Sequence, residues 1–275
     1  MNLLIRRAKS DDVPFIKKIW LNAFNENYST NYLTFVFEKL LNIKNAFVII
    51  SNDVFSGIGF ILPAFFKGKA SYYLYSLAVD KKMRNHGLMS RFLEFSLSLA
   101  KEKGVEYVFL VPQSDSLRQY YKKRDFIDFC YMKKHSFKLN KSIYTSFSNV
   151  DLQSYSKVRK NYFQNRLLCF DDEFSQYSLQ EGEFFSQNIV QCEYGYAVFS
   201  AEKDSLAVRE VIAEKHNLEL LLQSLLNKSG FKKGIAMLDN YIFSDLEGEE
   251  VPYAMINKSS LIDINKDFYA NFLLD

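Results

Sequence analysis

The amino-acid sequence predicts an α+β fold, an α/β mixed sheet flanked by helices. Runs rich in β-branched and aromatic residues recur along the chain, and segments with helical spacing of apolar residues separate them. Of the 275 residues, 48% are hydrophobic and 24% are charged, which is the balance of a globular protein with a substantial core. A chain of this length can form two domains of ordinary size.

The N-terminal segment IRRAKSDDVPFIKKIWLNAF predicts a strand followed by a helix. Ser10, Asp11 and Asp12 are cap residues at the start of this helix. Its apolar residues recur at helical spacing and are Val13, Ile16, Ile19, Trp20 and Phe24. The runs NAFVIISND and VFSGIGFILPAFF then predict two adjacent strands, joined by a hairpin turn at Asn52 and Asp53.

Residues 69–139 predict an alternation of strands and helices. The run KASYYLYSLAVD predicts a strand, GLMSRFLEFSLSLAKEKG a helix, VEYVFLVP a strand, SDSLRQYYKKR a helix, and DFIDFCYMKKHSFKL a closing strand. The first of these helices has a broad apolar face and ends at Gly104 after a basic last turn. This order predicts one sheet covered by helices.

Arg84, Gly87 and Ser90 stand where a predicted strand turns into a helix. The first amides of a helix have no partner within the helix, and the positive end of its dipole attracts anions. A glycine at such a turn lets an anion come close to the backbone. Because a second strand and a helix with two adjacent tyrosines follow, we interpret residues 71–126 as a site for an acyl-CoA.

The same turn carries a motif of a known family. Residues 84–89, RNHGLM, resemble the signature [Q/R]-x-x-G-x-[G/A] of the Gcn5-related N-acetyltransferases (the GNAT superfamily), with Met89 where the family has glycine or alanine. Downstream, QYYKKRDF resembles the family's x-L-Y-x-x-x-G-F ending, with Tyr121 on the tyrosine and Asp125 in place of the glycine. The resemblance covers residues 2–139. It implies an acyl-CoA N-acyltransferase (GNAT) fold and an acetyl-CoA-dependent N-acetyltransferase acting on a primary amine.

The resemblance also implies a set of cofactor contacts. In the family, the strand before the signature diverges from its neighbour and binds the pantetheine arm, and the signature turn holds the diphosphate. The matching residues are Leu77, Ala78 and Val79 on the strand, and Arg84, Asn85, His86, Gly87, Leu88, Met89 and Ser90 in the turn. We expect the amide of Val79 or a neighbour to polarise the thioester carbonyl, and the hydroxyl of Ser90 to contact the diphosphate.

Tyr121 is the predicted catalytic residue. A phenol with an ordinary pKa of about 10 roughly matches a leaving thiolate, which makes this tyrosine the candidate general acid. The alternative is that Tyr121 only packs in the core, a role that Tyr120 beside it could also take. Glu26, Asp80 and Asp115 are candidate general bases, although acids on surface turns are usually only solvated. The amine could instead bind in its neutral form or lose its proton through water.

The chain changes character after residue 140. The segment NKSIYTSFSNVDLQSYSK is polar and rich in serine, and it predicts a linker between domains at residues 1–140 and 141–275. The second half repeats the order of elements of the first. However, EKHNLELLLQSLL, where the signature turn should fall, contains no glycine. We expect a degenerate GNAT-like domain in tandem, without its own cofactor site; an unrelated α+β domain is the alternative.

Several partners and cofactors are not expected. The formal net charge is +3 and basic residues alternate with acidic ones, which argues against nucleic-acid binding. Cys130, Cys169 and Cys192 are far apart and none lies at a metal-ligand spacing from a histidine, so neither a disulfide framework nor a metal is expected. The N-terminus predicts neither a secretion signal nor a membrane span, which makes the cytoplasm the expected location.

The acceptor and one alternative function stay open at this stage. The acceptor is expected to be a small molecule or a peptide with an amine, and the sequence does not define the oligomeric state. Because Met89 and Asp125 both depart from the family pattern, a non-catalytic acyl-CoA-binding or regulatory module on the same fold is the alternative. A P-loop or Rossmann enzyme is disfavoured, since neither glycine-rich motif is present.

Overall fold

The computed structural model of the protein describes residues 2–24, 29–40, 42–170, 172–258 and 268–271. Within these ranges the chain forms two compact units, and each contains one seven-stranded mixed sheet. The predicted α+β class is confirmed. None of the helices in these ranges is long and apolar enough to cross a membrane.

The strands and helices have well-defined bounds. The strands are β1 (Leu3–Arg7), β2 (Ala46–Ser51), β3 (Val54–Phe66), β4 (Lys69–Val79), β5 (Tyr107–Leu110), β6 (Phe126–Asp128), β7 (Tyr131–Lys138), β8 (Ser148–Asn149), β9 (Asn188–Cys192), β10 (Gly195–Ala201), β11 (Leu206–Ile212), β12 (Lys233–Asp239), β13 (Glu249–Pro252) and β14 (Met255–Asn257). The α-helices are α1 (Val13–Phe24), α2 (Thr30–Phe35), α3 (Leu88–Glu102), α4 (Asp115–Lys122), α5 (Leu152–Phe163), α6 (Asp172–Phe184) and α7 (Leu218–Ser229).

The first unit contains residues 2–127, 169–170 and 254–258 among those described. Its strands lie in the order β1-β2-β3-β4-β5-β14-β6. Strands β1 to β4 pair antiparallel in sequence, whereas β4 and β5 run parallel and are joined through α3. Parallel neighbours need such a crossover, because the chain must return to the same end of the sheet before the second strand starts.

Helix α3 packs its apolar face against this sheet. Phe92 of α3 is fully buried and belongs to one core cluster with Phe47 and Ile49 of β2. Gly59 of β3 makes room for it, since a Cβ there would lie 2.4 Å from Cζ of Phe92. The predicted helix and its apolar face are therefore confirmed, and the packing fixes the start of α3 beside the end of β4.

Strand β4 has an irregular end next to β5. Its register with β3 shifts by one residue, and Ser76 at this point takes a positive φ of 49°. Pairing with β5 stops at Leu74 opposite Leu110, although β4 itself continues to Val79. No described strand pairs with this last part of β4 on the β5 side, so its backbone groups there are left for another partner.

The predicted closing strand, residues 125–139, is corrected by the structure. It divides into β6 and β7, and β7 lies in the second sheet between β12 and β13. In return, β14 from the second half lies between β5 and β6 of the first sheet. The contacts divide the chain at Ile127 rather than at residue 140, so the predicted ranges 1–140 and 141–275 are not the two units. An alternating pattern predicts a strand but not its partner.

The second unit contains residues 128–168, 172–253 and 268–271 of the part described. Its strand order, β8-β9-β10-β11-β12-β7-β13, follows the same plan as that of the first sheet. Helix α7 joins the parallel strands β11 and β12, as α3 joins β4 and β5. The centre of its core contains four fully buried leucines of α7: Leu221, Leu222, Leu225 and Leu226. The order of elements predicted for the second half agrees with this plan.

Candidate functional site

A pocket of about 700 Å³ opens in the first unit where β4, α3 and α4 come together. Its described lining comes from the ends of α1 and β4, the turn before α3, the first turn of α3, one face of α4 and the chain on either side of α4. All predicted site residues except His86 line it: Leu77, Ala78, Val79, Arg84, Asn85, Gly87, Leu88, Met89, Ser90 and Tyr121. The predicted strand, turn and tyrosine therefore meet around one cavity.

The end of β4 forms one wall of the pocket. Leu77, Ala78 and Val79 belong to the part of β4 that has no strand partner on the β5 side. Nε1 of Trp20 donates a hydrogen bond to Oγ of Ser76 at 3.3 Å, which ties this irregular part of the strand to α1. An extended ligand with amide groups can hydrogen-bond to such an edge as an added strand does.

The turn between β4 and α3 forms the second wall. The carboxylate of Asp80 accepts a hydrogen bond from the amide of Lys82 at 2.9 Å, and its carbonyl accepts one from the amide of Met83 at 2.8 Å. Asn85 and Gly87 take positive φ values of 66° and 75°. Gly87 is needed for this torsion rather than for space, since a Cβ there would meet nothing within 4 Å.

Three amides at the start of α3 have no acceptor within the helix. The first backbone hydrogen bond of α3 runs from the amide of Arg91 to the carbonyl of Gly87, at 3.1 Å. The amides of Leu88, Met89 and Ser90 precede it and stay unused by the helix. Together with the positive end of the helix dipole, they make this wall of the pocket suited to an anion.

Tyr121 lies on the face of α4 that lines the pocket. Its side chain is 7% exposed, and its ring contacts those of Tyr120 and Phe126. Its hydroxyl makes no hydrogen bond to any residue that the structure describes. Burial raises the pKa of Tyr121 well above its ordinary value, because the phenolate would lose its hydration. The phenol therefore keeps its proton at neutral pH, and in this environment it is a weaker acid than the match to a thiolate assumed.

Ser90, Tyr120 and Arg124 form a hydrogen-bonded cluster where α3 and α4 meet at the pocket. Oγ of Ser90 lies 3.1 Å from the hydroxyl of Tyr120 and accepts a hydrogen bond from Nε of Arg124 at 2.9 Å. Nη1 of Arg124 donates to the carbonyl of Tyr120 at 2.7 Å, and the guanidinium lies 3.4 Å from the centre of the Tyr120 ring. The hydroxyl of Ser90, predicted to contact phosphate, is therefore already engaged.

The residues that line this pocket lie within a segment that matches a known protein family. Residues 4–127 match the family described as "Acetyltransferase (GNAT) domain". These residues belong to the GNAT acetyltransferase family. The match ends at Ile127. The same residue ends the first segment of the first unit, and the chain then enters the second unit. A comparison with curated proteins found no match.

Solved structures agree with the GNAT fold over most of the chain. A probable N-acyltransferase from Enterococcus faecalis has a TM-score of 0.71 at 12% identity, covering 93% of this chain and 72% of that one. A GCN5-related N-acetyltransferase from Anabaena variabilis has a TM-score of 0.70 at 13% identity, with the same coverage. A putative acetyltransferase from Pyrococcus horikoshii has a TM-score of 0.57 at 16% identity, covering 98% and 92%. At these identities the likeness shows the fold alone.

The two departures from the GNAT pattern have different structural outcomes. Asp125, which replaces the family glycine after α4, takes a positive φ of 61°, so the torsion that a glycine provides there is kept. Met89 is half-buried and lines the pocket beside the unused amides of α3. Its side chain therefore adds bulk to this wall of the pocket in the GNAT domain.

The other acid-base candidates do not line the described part of the pocket. Asp80 closes the signature turn, and Asp115 is an exposed residue of the first turn of α4. Glu26 lies outside the described residues. Nδ1 of His86 lies 2.9 Å from the carbonyl of Arg84, and its ring is exposed. The lining that the structure describes contains no carboxylate and no imidazole.

Sequence reasoning missed several residues of this GNAT pocket. The additional lining residues are Ala23, Phe24, Met83, Gln113, Leu117, Tyr120 and Arg124. A signal for part of this set is present in the sequence of α4 and the turn after it, where Leu117, Tyr120, Tyr121 and Arg124 recur at helical spacing. This spacing would have added Leu117 and Arg124 to the site.

The second unit has no counterpart of the GNAT signature turn among its described residues. After β11 the chain passes through the 3₁₀ helix Lys215–Asn217 into α7. No residue between Ile212 and Leu218 takes a positive φ. A pocket of about 600 Å³ in this unit lies elsewhere, beside β7 and β12, and contains none of the predicted site residues.

A buried polar cluster lies on β11 in the second unit. Glu210 is fully buried and accepts hydrogen bonds from the hydroxyls of Tyr155 and Tyr269, at 2.7 and 2.8 Å. Nε and Nη2 of Arg159 donate to the same carboxylate at 2.6 and 2.9 Å. Burial raises the pKa of both tyrosines above the ordinary value. Because both carboxylate oxygens have donors, the Glu210 carboxylate is satisfied within the unit and presents no open group to a ligand.

Proposed function

We propose that the protein is an acetyl-CoA-dependent N-acetyltransferase that transfers an acetyl group to a primary amine of a small molecule or a peptide. One observation carries the proposal: the open edge of β4, the unused amides of α3 and the buried Tyr121 line the same pocket. The edge suits the two amides of a pantetheine arm, and the helix start suits a diphosphate. An acyl-CoA contains both the amides of the pantetheine arm and a diphosphate, with the thioester at the far end of the arm.

The reaction follows from this placement. A neutral amine attacks the carbonyl carbon of the thioester, and a backbone amide near Val79 polarises the carbonyl oxygen. The tetrahedral intermediate collapses as the C–S bond breaks, and the hydroxyl of Tyr121 donates its proton to the leaving thiolate. The described lining contains neither a carboxylate nor an imidazole, so the proposal assigns the proton of the amine to water, and water returns a proton to the phenolate of Tyr121.

We propose that the second half is a degenerate GNAT-like domain without its own cofactor site. Its strand order repeats that of the first sheet, which supports a common plan. The turn before α7 lacks a residue with a positive φ. On β11, the carboxylate of Glu210 is already hydrogen-bonded to neighbouring side chains and is not available to a cofactor. We also place the protein in the cytoplasm, since none of its three cysteines forms a disulfide.

Calorimetry with acetyl-CoA tests the proposal. We expect saturable binding of acetyl-CoA to the protein, and release of free coenzyme A thiol when a panel of amines is added. Absence of binding at millimolar acetyl-CoA would refute the acyltransferase function. Binding without thiol release on any amine of the panel would favour the alternative, a non-catalytic acyl-CoA-binding or regulatory module.

A further inference from the structure

Arg124 is an unusual member of the pocket because it comes from the turn after α4 and not from the signature turn. It is half-buried and lines the pocket together with Ser90 and Tyr120. Its guanidinium stacks on the ring of Tyr120 at 3.4 Å from the ring centre. The arginine is thus held over the first turn of α3 by contacts to two neighbouring side chains and one carbonyl.

The hydrogen bonds of Arg124 leave part of its guanidinium open. Nε donates to Oγ of Ser90 and Nη1 donates to the carbonyl of Tyr120. Nη2 has no partner among the residues that the structure describes. An arginine has five donors in a planar fork, so donors remain after these two bonds. They are available to a ligand in the pocket.

The charge of Arg124 is also uncompensated within the described residues. No carboxylate there lies within ion-pair distance of it, and the carboxylate next in sequence, Asp125, lies 3.9 Å from Nζ of Lys258 instead. Arg84, on the signature turn, is the other cation of the described lining. A half-buried cation beside the positive start of a helix is unfavourable by itself, and a bound anion would relieve this.

We propose that Arg124 binds the diphosphate of the acyl-CoA donor, and that Ser90 and Tyr120 position it for this contact. The inference rests on the proposed function and extends it to a residue outside the signature. The unused amides belong to the first turn of α3, and the guanidinium of Arg124, from the turn after α4, contacts Ser90 of that same turn of α3. Ser90 then acts through the arginine: its hydroxyl orients the guanidinium, and the backbone amide contacts the ligand.

Binding measurements on three related ligands test this contact. Coenzyme A contains the diphosphate and a 3′-phosphate, dephospho-coenzyme A contains only the diphosphate, and pantetheine contains no phosphate. The variants are Arg124→Gln and Arg124→Lys, with Lys123→Gln as the matched control, because Lys123 is exposed and does not line the described pocket. Calorimetry measures the affinity for coenzyme A and for dephospho-coenzyme A, and an NMR titration at millimolar concentration measures the affinity for pantetheine.

We expect Arg124→Gln to weaken coenzyme A and dephospho-coenzyme A equally, each by about tenfold, which is the size of one lost charge-assisted contact. Arg124→Lys should fall between this variant and the wild type, since lysine keeps the charge but not the planar fork. Pantetheine binding should not change, and Lys123→Gln should behave as the wild type. Added salt should reduce the difference in coenzyme A affinity between the wild type and Arg124→Gln, because it screens the charge of the arginine.

Other outcomes overturn the inference. An equal loss of pantetheine binding in Arg124→Gln would show that Arg124 only supports the structure of α4. A loss confined to coenzyme A would assign the arginine to the 3′-phosphate instead. Unchanged binding of all three ligands would remove Arg124 from the site. If the wild-type protein binds no coenzyme A at all, the proposed function itself fails.

Discussion

The torsion at Gly87 decides how the start of α3 meets the pocket. Its φ of 75° belongs to the left-handed region, which glycine adopts without strain. A Cβ there has open space, so the cost of a substitution comes from the backbone torsion and from what the new side chain carries into the pocket. The effect of a new side chain on ligand binding can therefore be measured separately from its effect on the stability of the fold.

Gly87→Glu should abolish acetyl-CoA binding, because it places a negative charge beside the amides of Leu88 to Ser90. The torsion adds a loss of stability of about 1 kcal/mol. Calorimetry with acetyl-CoA measures the first effect and thermal unfolding the second. Gly68→Glu is the matched control, since Gly68 also has a positive φ, of 73°, and open space, yet does not line the described pocket. Retained binding in Gly87→Glu would refute the turn as the anion site.

Tyr121→Phe should lower turnover by about a hundredfold and leave the affinity for acetyl-CoA unchanged, because the ring keeps its packing and only the proton donor is lost. Burial raises the pKa of Tyr121 above its ordinary value, so the acid form persists as the pH rises. Activity at saturating amine should therefore show no alkaline loss below pH of about 10. Tyr144→Phe is the control for the loss of a phenol hydroxyl, since Tyr144 is 81% exposed and does not line the described pocket. Equal turnover in Tyr121→Phe and wild type would make Tyr121 a packing residue.

The site residues that could be predicted from the sequence are those that belong to a short local pattern. The signature turn and Tyr121 were identified because each lies in a short local pattern, and all predicted residues except His86 line the pocket. Arg124 was missed, since its contact with Ser90 joins the turn after α4 to α3, more than thirty residues earlier in the sequence. The interpretation of Ser90 changed for the same reason: its hydroxyl contacts Tyr120 on α4 and Arg124 in the turn after it.

At the element scale, strand β14 connects the second half of the chain to the candidate site. It pairs antiparallel with β5, placing Met255 opposite Leu110 and Ile256 opposite Phe109. The amide of Lys258 then donates to the carbonyl of Asp125 at 2.7 Å, at the turn that follows α4. β14 therefore holds β5 and the end of the helix that carries Tyr121.

Ile256→Ala should destabilise the first unit by about 3 kcal/mol, because Ile256 is fully buried and the change leaves a cavity. Hydrogen exchange should become faster in β5, and acetyl-CoA binding should weaken although Ile256 does not line the described pocket. Ile235→Ala on β12 is the control, since Ile235 is 36% exposed. Unchanged exchange in β5 would argue against a role of β14 in the first unit.

The elements themselves were largely predictable, but their partners were not. The spacing of apolar residues identified α1, α3 and α7 and the strands from β2 to β5. Helix α6 was not predicted. Which sheet β7 and β14 join depends on pairing between segments that are distant in sequence, such as Lys138 with Lys233 and Met255 with Leu110. The alternating pattern of a strand does not encode its neighbour.

At the scale of the whole chain, the two sheets have the same strand order, and each receives one strand from the other half of the sequence. A piece ending at residue 140 would lack β14 and would contain β7 without its partners β12 and β13. Acetyl-CoA binding should therefore be studied on the intact chain. Only the first unit has the left-handed turn before its crossover helix among the described residues.

A crystal structure of the protein with bound acetyl-CoA shows where each part of the donor lies. We expect the pantetheine arm along Leu77 to Val79, the diphosphate at the amides of Leu88 to Ser90, and the thioester sulfur within hydrogen-bond reach of the hydroxyl of Tyr121. Acetyl-CoA bound in the second unit, or bound with its sulfur away from Tyr121, would contradict this expectation.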